Sequence, residues 1–187
     1  MKLALLMIHC TATPQGREVT KEELEQWHMG PRVNADGTVT YLGKKFQPGK
    51  LPNDKIGGVP ISKLKGNGWS RLGYSDMIHI DGTLENLTPF NQDDEVQDDE
   101  KTWGCAGKNS VARHIVLVGG TDKKGNAKDT RTAAQIETLR IYLPYVTIRH
   151  PQVQICGHNQ FASKACPSFD VPRFMRKIEM KEHFIYS

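Results

Sequence analysis

The sequence predicts a single-domain α/β fold, and three observations carry that expectation. Residues 3–8 and 115–118 are continuous apolar runs, the pattern of strands covered on both faces. Residues 132–149 place Ile136, Leu139 and Leu143 along one helical stripe. Strand-like and helix-like segments alternate along the chain, which is the order that builds a sheet with helices packed against it. A chain of 187 residues is long enough to bury one sizeable core. The expected architecture is therefore a central mixed β-sheet flanked by helices, with a hairpin-bearing insertion.

The elements follow in order. Residues 3–8 form the first strand. Thr20-Lys21-Glu22-Glu23 is a capping box that opens a helix with Leu24 and Trp27 on one side, and Gly30-Pro31 stops it. Residues 33–69 are rich in Gly, Pro, Asn and Lys, and their turn signals at Asp36-Gly37 and Gly57-Gly58 mark the insertion. Residues 74–80 form a strand that Asp81-Gly82 turns back into Thr83-Leu84. Residues 92–101 are an acidic stretch without EF-hand spacing, read as a solvated loop. Strand 115–118 ends at Gly119-Gly120, and helix 132–149 is expected to kink or end at Pro144. Residues 153–156 make a last strand, and Asp170 with Pro172 starts a C-terminal helix.

Hydrophobic residues make up 37% and charged residues 25%, which excludes a disordered chain, and no apolar run approaches the roughly 20 residues of a membrane span. The formal charge of +4 favours polyanions, cell wall and nucleic acid alike, but there is no basic stripe with interleaved aromatics, so no nucleic-acid partner is expected. The start, MKLALLMIHC, lacks the long apolar region and small-residue cleavage site of a secretory signal. The four cysteines, at 10, 105, 156 and 166, show no C-x-x-C pair and suit a reduced compartment. A monomer synthesised in the cytoplasm, with no membrane insertion, is expected.

Three residues stand out chemically. His9 ends the first strand, His158 ends the last, and Cys166 follows soon after. Zinc takes imidazole and thiolate, and a catalytic zinc uses three protein ligands with water in the fourth place. Taken alone, these residues leave other readings open, since a strand-end histidine is often structural and a buried cysteine behaves as a small hydrophobe. Cys10 is expected to point away from His9, whereas Cys156 shares the face of His158 as a reserve ligand. His28, His79, His150 and His183 are expected at exposed positions.

IHCTAT (8–13), GWSRLGY with the following strand and DGT (68–83), GKNSVARHIVLVGG (107–120) and GHNQFASKACPSFDV (157–171) together resemble the zinc-dependent N-acetylmuramoyl-L-alanine amidases, the family of the phage T7-type lysozymes and the peptidoglycan recognition proteins. The resemblance runs through almost the whole chain, and KACPSFD is its most specific part. It implies zinc held by His9, His158 and Cys166, with Tyr74 and Lys164 as catalytic residues and Trp103, Cys105 and Asn109 on the substrate-binding side. It further implies peptidoglycan as substrate and a lytic, endolysin-like role on the cell wall after release or export.

The chain departs from the family pattern at three places. Cys105 stands in WGCAGKN where these amidases often carry a histidine, Tyr74-Ser75-Asp76 where Tyr-His-Phe is usual, and Ala112-Arg113-His114 where Ser-Ile-Gly is usual. Alternation predicts Asp76 on the same side as Tyr74, and the cost of an unpaired buried charge predicts that it pairs with Arg113 or His114. A cytosolic anhydromuropeptide-recycling amidase and a non-catalytic wall-binding module are the competing readings.

Overall fold

The computed structural model describes residues 1–186. Strands β1 (Leu5–Cys10) and β2 (Thr13–Pro14) open the chain. Helix α1 (Lys21–Met29) follows, then strands β3 (Arg32–Val33), β4 (Val39–Tyr41), β5 (Lys44–Phe46), β6 (Lys55–Ile56) and β7 (Val59–Pro60). Next come β8 (Asp76–Ile78), β9 (Leu84–Asn86), β10 (Ala112–Leu117) and β11 (Gly120–Thr121). Helix α2 (Ala133–Arg149), β12 (Gln154–Gly157) and α3 (Val171–Lys177) complete the order. The chain divides into two compact units, residues 1–18 with 74–187 and residues 19–73.

The larger unit has the expected α/β architecture. Its five-stranded sheet runs β12-β1-β10-β8-β9. The first four strands are parallel neighbours and β9 returns antiparallel to β8, so the sheet is mixed. Period-two alternation divides β1 between two layers. Leu6 and Ile8 join the main core with Ile115, Leu117, Ile155 and the buried stripes of α2 and α3, while Leu5 and Met7 face the other way with Cys105 and Cys156.

Caps and buried amides place α2. Thr132 accepts from the Gln135 amide at 3.1 Å and donates its hydroxyl to the Ile80 carbonyl at 2.7 Å. The fully buried Gln135 donates to the carbonyls of Ile78 and Val118 at 3.1 and 3.0 Å, tying the helix start to the ends of β8 and β10. The helix runs to Arg149, as the expected bounds have it, so of the two outcomes expected at Pro144 termination does not occur. Leu143 and Val146 on either side of it are buried in the core, and that burial offsets the lost hydrogen bond.

In the smaller unit, Thr20 forms the expected capping box with Glu23 at the start of α1, with Leu24 buried. Strands β3-β4-β5 make an antiparallel sheet and β6-β7 a hairpin turned at Gly57-Gly58. Tyr41, Ile56 and Ile61 form a core of this unit's own. His28 is buried rather than exposed, because its ring stacks on Trp69 at 5.1 Å and its Nδ1 accepts from the Gly73 amide at 3.1 Å.

His150, in the larger unit, is also buried against expectation, with its Nδ1 2.9 Å from Asp94 and its ring against Phe90. Most of the acidic loop is exposed as expected, but Glu100 turns inward and accepts from the amides of Asn91 and Gln97 at 2.7 and 2.9 Å.

Candidate metal site

His9 lies near the end of β1 on the face shared with Met7, turned away from α2. His158 begins a single 3-10 turn (His158–Gln160) directly after β12. Gly157 makes that turn possible, since a Cβ there would lie 2.5 Å from the Asn159 side chain and 3.1 Å from Pro167. The loop bearing Cys166 is tied down twice: the Asn159 amide donates to the Cys166 carbonyl at 2.8 Å, and the Cys10 amide donates to the Cys166 sulfur at 3.3 Å. Gly120 leaves room for Cys10, because a Cβ at Gly120 would collide with the Cys10 sulfur.

These elements bring His9, His158 and Cys166 together, with one donor atom from each lying within 4.8 Å of the others. The His9 and His158 ring centroids are 4.6 Å apart, and Cys166 Sγ is 3.7 Å from His9 Nδ1. Tetrahedral ligands at about 2.0–2.3 Å from a cation stand roughly 3.3–3.7 Å from one another. The donor set thus fits a metal ion in both spacing and chemistry.

The electrostatics suit that use. Burial, and then the charge of Lys164, lower the pKa of His158, so its lone pair is free at neutral pH. Hydrogen bonding to Cys166 draws Cys10 down to about 6, and the same contact with burial raises Cys166, so a metal ion would have to displace the Cys166 proton to take the sulfur as thiolate. Tyr74 lies 5.1 Å from His9 between ring centroids, and burial pushes its phenol well above the usual range, so it stays protonated. Lys164 is exposed on the loop before Cys166.

The remaining expected positions lie nearby in the chain order of the loop before β10. Trp103 is 44% exposed, whereas Cys105 is buried and its amide donates to Asn109 Oδ1 at 2.8 Å. Asn109 thereby braces the loop. Cys156 is buried, bonded to the Leu6 carbonyl at 3.7 Å and outside the donor group.

Sequence reasoning missed His114. Its Nδ1 lies 2.9 Å from His9 Nε2, and the ring is wholly buried. Burial, reinforced by His158 and Arg113, lowers its pKa to about 3, so it is neutral. The signal that finds it is strand register, since β10 places His114 opposite Met7, two residues before His9 on the same face. Asp76 also differs from expectation: it sits with Arg113 and Tyr142 of α2, away from Tyr74, because β8 begins only at Asp76 and alternation does not extend back to Tyr74. Of its two expected partners, Arg113 is the one that pairs, through two bonds of 2.6 Å.

Fold and site define the class: an α/β protein with a histidine–histidine–cysteine group, built on the sheet face opposite its long helix, that is placed to bind a metal ion. No family model matches the chain. It is 29% identical over 175 residues to the endolysin of Klebsiella phage KP32, covering 94% of this chain and 87% of that one. The endolysin of Escherichia phage T7 is 28% identical over 177 residues, covering 94% and 87%. The N-acetylmuramoyl-L-alanine amidase LysC from Clostridium intestinale shares the fold with a TM-score of 0.59 at 15% identity, over 97% of this chain and 88% of that one. Along nearly its whole length the chain is thus similar in sequence to phage endolysins, and in fold to a solved N-acetylmuramoyl-L-alanine amidase.

Proposed function

We propose that this protein is a zinc-dependent amidase that hydrolyses the bond between the lactyl carboxyl of N-acetylmuramic acid and L-alanine in peptidoglycan, lysing the wall as an endolysin. In this reading residues 1–187 are one amidase domain carrying an insertion at about 33–69, and the protein acts as a monomer. The observation that carries it is the convergence of His9, His158 and Cys166 in a chain similar along nearly its whole length to phage endolysins.

Zinc at those donors would supply Lewis-acid polarisation of the amide carbonyl and a water acidic enough to attack near neutral pH. The chain's own groups do the rest. Lys164, an exposed cation whose charge reaches His158 and Cys166, faces the charge that develops on the carbonyl oxygen. The Tyr74 phenol, kept protonated by burial, donates a hydrogen bond there and can pass a proton towards the leaving amine. Trp103 offers an exposed aromatic surface to the glycan or stem peptide, and Cys105 and Asn109 shape the loop that presents it. A zinc–water site cuts amides and not glycosidic bonds, which need a pair of carboxylates about the sugar oxygen.

The test joins metal analysis of the purified protein with mass spectrometry of digested sacculi. We expect one zinc per chain, new L-alanine amino termini and intact glycan strands, with both zinc and activity lost in Cys166→Ser and His158→Ala. New reducing sugar ends without those termini would overturn the amidase reading. Cleavage confined to soluble anhydromuropeptides would make it a recycling enzyme.

A further inference from the structure

We propose that His114 is a positioning residue for the metal site, accepting the Nε2 proton of His9 and so holding His9 in the tautomer whose Nδ1 lone pair faces Cys166 and His158. The inference rests on the zinc reading above and goes beyond the three ligands.

The argument starts from the two nitrogens of His9. Nδ1 is the one 3.7 Å from Cys166 Sγ, so it is the nitrogen available to a metal, and it must then carry no proton. The proton of neutral His9 therefore sits on Nε2, whose neighbour at 2.9 Å is His114 Nδ1. The opposite arrangement, with His114 donating, would protonate His9 on the metal side and abolish ligation. Histidines that hold metals donate their other ring N–H to a group that fixes their tautomer and orientation. Here that group is a second imidazole. It accepts the proton without placing a negative charge beside the cysteine ligand.

His114 is held to serve in this way. Its amide donates to Ser75 Oγ at 3.3 Å and its carbonyl accepts from the Ser75 amide at 2.7 Å, so the residue just before β8 clamps its backbone. Its side chain is wholly buried. With Nδ1 as acceptor, the single ring proton of neutral His114 lies on Nε2, which has no hydrogen-bond partner among the described residues. A buried unpaired N–H opposes folding, so a side chain that only filled this space would be better apolar. The cost is explained if the other nitrogen is needed.

Two variants separate positioning from packing. His114→Phe keeps a ring and removes the acceptor, whereas His114→Asn keeps an acceptor near the Nδ1 position. Zinc affinity would be measured by competition with a chromophoric chelator, and metal-free stability by thermal melting. Imidazole 15N–1H correlation spectra would report the His9 tautomer. We expect the Phe variant to lose about 10–100-fold in zinc affinity while its metal-free form melts no lower than wild type. The Asn variant should recover most of the affinity, and wild-type His9 should carry its proton on Nε2 with and without zinc. Unchanged zinc affinity in the Phe variant would overturn the proposal, as would equal losses in both variants or a His9 proton on Nδ1 in the metal-free wild type. A wild-type protein that binds no zinc would instead overturn the functional reading on which the inference stands.

Discussion

Replacing Arg113 by Met should destabilise the larger unit more than any single change at its surface. Asp76 is wholly buried and its carboxylate is held by Arg113 Nε and a second guanidinium nitrogen at 2.6 Å each, by Tyr142 Oη at 3.0 Å and by Asn86 Nδ2 at 2.5 Å. Arg113 is 4% exposed, rests over the Phe90 ring at 4.0 Å and donates to the Pro89 carbonyl at 3.3 Å. Methionine keeps most of the stem contact with Phe90 but removes the countercharge, leaving a buried carboxylate supported only by neutral donors. Breaking one side of such a pair costs about 3–5 kcal/mol. At about 2–4 °C per kcal/mol for a chain of this size, the melting temperature should fall by roughly 6–20 °C. The double variant Asp76→Leu with Arg113→Met should recover most of that loss, since replacing both partners by apolar groups leaves no orphan charge. Urea unfolding followed by circular dichroism measures both. The pair lies on the α2 side of the sheet, so the folded single variant should still bind zinc. A loss below about 1 kcal/mol in Arg113→Met, the range of an exposed pair, would refute the assignment of this bridge as a buried structural pair.

Lys164→Ala and Tyr74→Phe should retain zinc but lose about a hundredfold or more in turnover, as expected for removal of an oxyanion donor; wild-type turnover in both would make them bystanders. His28, whose pKa burial lowers from 6.5 to about 4, binds its proton more readily in the unfolded chain, so it contributes stability above pH 6.5 that is lost as pH falls towards 4. Between pH 7 and pH 4.5 that loss should amount to about 2 kcal/mol and be largely absent in His28→Asn, measured by urea unfolding at the two pH values; equal pH dependence in the two proteins would count against it. A Gly-linked deletion of residues 34–66 should leave a folded, zinc-binding protein with altered digestion of intact sacculi, and either unfolding or unchanged digestion would contradict that expectation.

What could be read from the sequence was what local chemistry decides. The capping box at Thr20 and the return of β8 into β9 are settled within a few residues, and both appear where expected. The α/β class follows from the spacing of apolar runs, and the three candidate ligands from a motif whose members are drawn from the two ends of the chain. His28 and His150 could not be placed so, because their burial depends on Trp69 and Phe90, which no helical or strand periodicity links to them. That α2 continues past Pro144 likewise depends on core contacts made elsewhere on the helix.

The instructive case is the pair Arg113 and His114. In the sequence they form one polar cluster intruding on an apolar strand, and either seemed a fit partner for Asp76. On β10 they are successive residues, and successive residues of a strand point to opposite faces. One departure from the family pattern therefore serves two separate purposes. Arg113 turns under α2 and neutralises Asp76, which makes these two polar departures mutually dependent. His114 turns to the open face and meets His9. Which residue goes which way is fixed by register alone: β8 sets Ile115 opposite Asp76, which brings Arg113 within reach of the carboxylate from two residues back on the same face, while β1 sets His114 opposite Met7. A shift of one residue in either pairing would exchange the two side chains, burying the guanidinium beside the candidate ligand His9 and leaving Asp76 without its countercharge. The buried ion pair and the contact between His114 and His9 thus hold the sheet in the same register from opposite sides.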